Sequence, residues 1–118
     1  MGARVNFIFK DTEQGPWVAL YSHWGADSWK HDLAVAIEHA RPRWNDSSYF
    51  TRMVISKLIE GDITGQTGYG IWALTPETLS NAYLDEPVII DIPNQRVDGY
   101  LWENFITSEE ELFQYHNA

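Results

Sequence analysis

His23 is the side chain best suited by type and position to do chemistry. It stands in the run Leu20-Tyr21-Ser22-His23-Trp24-Gly25-Ala26-Asp27-Ser28-Trp29, where an alternating strand stops at a glycine and a helix starts three residues later. A neutral imidazole at such a corner can act as a base or hydrogen-bond a ligand. It can equally hold the corner by bonding a nearby backbone group. Ser22 and Ser28 lie close in sequence, but there is no Gly-x-Ser-x-Gly elbow, and a Ser-His pair with neither orienting acid nor oxyanion hole is not a triad. Asp27 could orient a histidine and is equally a helix cap.

A metal site would draw on His23, Asp27 and His31. His31 and His39 are eight positions apart on one helix, about 12 Å by the helical rise and too far for one ion. Neither a two-histidine i,i+4 motif nor a facial triad can be assembled. No catalytic residue, metal or cofactor is therefore assigned. The glycine-rich run Thr64-Gly65-Gln66-Thr67-Gly68-Tyr69-Gly70 lacks a Walker lysine and precedes a strand where phosphate loops precede a helix. An anion could still be held there if Arg41, Arg43 or Arg52 converge, since arginine forks suit phosphate. The candidate ligand-binding set is Tyr21, His23, Trp24, Arg43, Arg52 and Tyr69.

The elements that must position these residues follow from periodicity. Val5, Phe7 and Phe9 alternate through a first strand, about 4–10, and the polar stretch 11–16 reads as a hairpin loop. In a second strand from Trp17 to Trp24 both faces carry apolar residues, which places it centrally in its sheet. Asp27 or Ser28 caps a helix reaching about Arg41, where Pro42 forbids continuation, and Trp29, Leu33, Ala36, Ile37 and Ala40 form its apolar stripe. Asp46 caps a second helix, Ser47 to Glu60, with Phe50, Val54, Ile55, Leu58 and Ile59 inward and Arg52, Ser56 and Glu60 on its open side. Gly68 to Leu74 reads as a third strand, and 77–86 as a helical turn at Pro76 followed by loop. Val88 to Ile92 and Arg96 to Trp102 form a hairpin about Pro93-Asn94-Gln95. Ser108-Glu109-Glu110-Glu111 fits a capping box that opens a short C-terminal helix. The order β-β-α-α-β-β-β-α predicts one α+β domain over residues 1–118, an antiparallel sheet of about five strands with two helices on one face.

The totals narrow the partners. Seventeen acidic against eight basic residues give a net charge of −9, which repels polyanions and disfavours nucleic acid. Absence of cysteine excludes disulfides and thiolate chemistry. No apolar run approaches the ~20 residues of a membrane helix, and the N-terminus shows no apolar signal region, so a cytoplasmic protein is expected. Apolar residues on both faces of the second and fourth strands are compatible with a homodimer.

Tyr21-Ser22-His23-Trp24-Gly25, Arg43-Trp44-Asn45-Asp46, Tyr49-Phe50-Thr51-Arg52 and Thr67-Gly68-Tyr69-Gly70-Ile71 together resemble a group of small phage and prophage proteins that carry a Tyr-x-His-Trp corner. The similarity spans roughly residues 4–75 and implies a phage context, without an activity. The expectation is a non-enzymatic phage accessory protein, acting in the host cytoplasm, that binds a host protein or small ligand, in one form as a counter-defence factor. The alternatives are a small enzyme acting on a nucleotide-like substrate through His23, and a structural or virion subunit.

Overall fold

The computed structural model describes residues 4–23, 28–81 and 87–117, with side chains as far as 79 and 112 in the last two stretches. Three strands come first in the spatial order of the sheet: β3 (Tyr69–Leu74), β2 (Trp17–Ser22) and β1 (Val5–Lys10); then follow β4 (Pro87–Asp91), β5 (Arg96–Val97) and β6 (Tyr100–Leu101). Four helices accompany them: α1 (Trp29–His39), α2 (Ser47–Ile59), α3 (Pro76–Asn81) and α4 (Trp102–Asn117), with single 3-10 turns at Arg41–Arg43 and Glu60–Asp62.

The α+β class matches the sequence reading, but the sheet is mixed and six-stranded. β1 pairs antiparallel with β2 and parallel with β4, in the register Phe7↔Leu20 and Phe7↔Val88. A parallel neighbour requires a crossover, and residues 76–81 supply one by forming α3 where sequence indicated a single helical turn. Thr75 caps it, its Oγ1 accepting from the Thr78 N–H at 3.1 Å, with Pro76 at the first helical position. Part of the predicted loop, 82–86, lies outside the described residues.

Alternation splits the strands between two faces. Val5, Phe7, Phe9, Leu20, Val88, Ile90 and Val97 pack in one cluster with Leu33, Ile37, Phe50, Val54, Trp102 and Phe105 of α1, α2 and α4. On the reverse face Ile8, Trp17, Ala19 and Leu74 form a second cluster, against which Leu79 of α3 packs. Three helices, not two, therefore cover the main face. α4 begins at Trp102 rather than near Ser108, because Trp102, Phe105 and Ile106 already have i, i+3, i+4 spacing and bury themselves in the core. The predicted strand 96–102 is instead two short strands about a turn at Asp98-Gly99, both at positive φ (48° and 93°).

Candidate functional site

The structure separates the predicted site residues. Tyr21 and His23 share the reverse face of β2, where Tyr21 Oη lies 3.0 Å from His23 Nδ1. The His23 N–H also donates to the Gly68 carbonyl at 2.8 Å, so the corner is tied to the start of β3. Trp24 and Asp27 lie outside the described residues. Tyr69 is on the opposite face, across from Ser22 in the β2–β3 register. Burial pushes its phenol pKa up, the nearby charges of Asp32 and Asp62 add to that, and a hydrogen bond with the buried Ser22 opposes it.

The arginines do not converge either. Arg41 is held by Glu38, with Nη2 donating to Oε1 at 2.9 Å, and by Glu103 of α4. Those bonds raise the Arg41 pKa and lower both glutamates, the hydrogen bonds outweighing the partial desolvation. The Arg43 guanidinium lies 5.0 Å over the ring of Tyr49. Arg52 lines a cavity, on the open side of α2 where the sequence places it, with Nη1 3.5 Å from Ser56 Oγ.

That cavity is a groove of about 460 Å³ between α2 and the β2–β3 side of the sheet. Its apolar surfaces come from Phe9 and Val18 of the sheet, Ile71 of the edge strand and Ile55 of α2. Val18 of β2 and Ile71 of the edge strand β3 are 39% and 60% exposed, whereas Leu20, on the same face of β2, is buried, so the sheet is left open at this end. The polar wall is Ser47, Ser48, Thr51, Ser56 and Arg52, successive turns of one helix face, with Asp11 and Pro16 at the hairpin end.

No family model, curated protein or solved structure matches this chain. The groove must accordingly be read from its own chemistry. Its size falls within the range of small-molecule sites, about 300–1,000 Å³, and its mix of apolar floor and few polar groups is that of a binding pocket. A larger hollow of about 610 Å³ lies between β5–β6 and α4, around Trp29, Tyr100 and Phe105. Its charged lining is mixed, Lys30 against Asp98 and Glu109, so it offers an anion less than the groove at Arg52 does. Among the described residues no group of three or more His, Asp or Glu could hold a metal ion, and no helix is long and apolar enough to cross a membrane.

Sequence reasoning missed Val18, Ile71, Ser47, Ser48 and Thr51 as groove residues. The signal was present in part. A β2 strand apolar on both faces says that something must cover Val18, and only the placement of α2 shows that nothing among the described residues fully does.

Proposed function

We propose that this is a non-catalytic binding protein whose site is the groove between α2 and the β2–β3 side of the sheet. The carrying observation is an apolar floor left open beside a helix face of hydroxyls and one guanidinium. A ligand that matches it has an apolar body to cover Val18, Ile55 and Ile71, and an anionic or hydrogen-bond-accepting end to meet Arg52 and the serine and threonine hydroxyls. The groove carries no histidine, and the Tyr21–His23 pair is on the other side of the sheet. The acid–base group that does line the groove, the Asp11 carboxylate at its hairpin end, has no histidine or second carboxylate beside it among the described lining residues, which favours holding over turnover. In the phage context that the corner motif resembles, the protein acts on its host by occupying a host ligand, or the apolar, acid-bearing end of a host protein, as a counter-defence factor would.

Titration with anilinonaphthalene sulfonate, an apolar ring system bearing one anion, tests the site by fluorescence. Saturable one-to-one binding is expected. Thr51→Trp, which fills the groove from α2, abolishes it, and Arg52→Gln weakens it by about three- to tenfold, the range of a partly exposed charge-assisted bond. Binding that never saturates, or that both variants leave unchanged, would overturn the assignment.

A further inference from the structure

β3 is one of the two edges of the sheet, and no strand among the described residues pairs with its outer side. Tyr69-Gly70-Ile71-Trp72-Ala73-Leu74 has no charged residue and no proline, and its six consecutive partners on β2 leave no room for a bulge. Edge strands of monomeric proteins are ordinarily blunted by one of these devices. The direction of the backbone groups follows from one hydrogen bond and the register. The Gly68 carbonyl accepts from His23, so in an antiparallel ladder Gly70, Trp72 and Leu74 also turn toward β2. Tyr69, Ile71 and Ala73 then turn their N–H and C=O groups outward.

We infer that this edge binds a second copy of the chain, β3 against β3 in antiparallel pairing, with Ile71 on the twofold axis. In that register Ile71 faces Ile71 of the other copy, and Tyr69 faces Ala73. Every outward-turned residue is then in a hydrogen-bonded pair. Any other register of the two strands leaves some of them unpaired.

The side chains select the same arrangement. Trp72 of each copy comes to lie opposite Gly70 of the other, in the close, non-hydrogen-bonded type of pair. A Cβ added at Gly70 would meet nothing within 4 Å, so the glycine leaves an open seat on the face where Trp72 stands. An aromatic ring laid over a cross-strand glycine fills such a seat, and a glycine inside a strand marks a place where another group approaches closely. Charge does not oppose the contact. The strand itself is neutral, and the nearest flanking acid, Glu77, falls across from Gly65, so no like charges stand opposite one another along the paired strands. The twofold axis is perpendicular to the sheet, so the two grooves open on the same side and share a floor formed by the two Ile71 side chains.

Sedimentation velocity on the full chain, with single-cysteine cross-linking, tests this. The wild type is expected to sediment as a dimer. The chain has no cysteine of its own, so Ile71→Cys places two thiols in a pair whose Cα atoms lie about 5.5 Å apart, within disulfide range. It should cross-link under mild oxidation, whereas Ala73→Cys, whose copies are about 13 Å apart along the strand, should not. Gly70→Val keeps the monomer fold, read by circular dichroism and melting, and raises the dimer dissociation constant about tenfold or more by occupying the seat of Trp72. A monomeric wild type, a dimer that Gly70→Val leaves intact, or cross-linking at 73 as fast as at 71 would each overturn the inference.

Discussion

Trp102 shows how much of this fold hangs on one ring. It is 1% exposed, stacked on Phe50 at 4.4 Å with the planes 10° apart, and met edge-on by Trp44 at 5.1 Å. Its indole Nε1 has no hydrogen-bond partner among the described residues, so what the ring contributes is packing. Trp102→Ala is expected to cost about 3–5 kcal/mol in urea unfolding, with loss of the cooperative transition at physiological temperature if total stability is at the low end. Arg41 gives a contrasting case at the surface. It joins the end of the first helical segment to Glu103 in the first turn of α4, with its guanidinium 4.3 Å over Trp44. Because Arg41 lowers the pKa of Glu38 and Glu103, the stability that they add is present above the ordinary glutamate pKa of about 4.3 and is lost as pH falls through the depressed values. Arg41→Met should therefore lower the melting temperature slightly at neutral pH, and the gap to wild type should close as the pH is taken below about 4. A gap that persists in acid would assign the effect to stacking on Trp44 instead. At this scale the sequence was informative about residue type and poor about company. The stripe of α2 tells that Arg52 lies on its open side, yet nothing in the local sequence tells that Tyr21 and Tyr69 lie on opposite faces, which the ladder register decides.

At the scale of elements, the helices were legible wherever a cap or a breaker coincided with an apolar stripe. α2 is the clearest instance: the side chain of Asp46 accepts from the Tyr49 N–H at 3.4 Å and its carbonyl from Phe50 at 2.8 Å. Asp46→Ala should cost about 0.5–1 kcal/mol, the lower part of the range for caps because the side-chain bond is long, and chemical denaturation will read it. Ser28 illustrates the opposite outcome. It occupies the N-cap position of α1 but makes no cap bond, its hydroxyl donating to Asp32 at 2.8 Å. In the C-terminal region a capping-box pattern at Ser108–Glu111 competes with the earlier triplet Trp102, Phe105 and Ile106, and burial of that triplet prevails over a surface cap. The Asp98-Gly99 dipeptide was the overlooked turn signal. Asp98 exchanges bonds with Ile89 of β4, its N–H donating to the Ile89 carbonyl and its Oδ1 accepting from the Ile89 N–H, which fixes the short β5–β6 hairpin to the sheet.

At the scale of the whole molecule, two properties were invisible in any local window. One is the strand order: β4 beside β1 depends on α3 crossing the reverse face, and no periodicity within either strand encodes that crossing. The other is how charge acts on the folded chain, where totals predict better than contacts do. Seventeen acids share one small surface with eight basic residues, and the ion pairs at Lys10–Glu13, Arg41–Glu38, Lys57–Glu60 and, between elements, Arg41–Glu103 are all in reach of solvent. Exposed pairs of this kind contribute about 0–1 kcal/mol each, while the excess negative charge repels itself throughout the compact state. Raising NaCl from about 0.01 M to about 0.15 M shortens the Debye length from about 30 Å to about 8 Å and screens both effects. Repulsion among many acids outweighs a few local pairs, so the melting temperature at neutral pH should rise over that range, and rise most for variants that remove a basic residue such as Lys57→Gln. A fall in melting temperature with added salt would mean that the local pairs dominate, and would make this acidic surface a stabilising network rather than a cost that the aromatic core offsets.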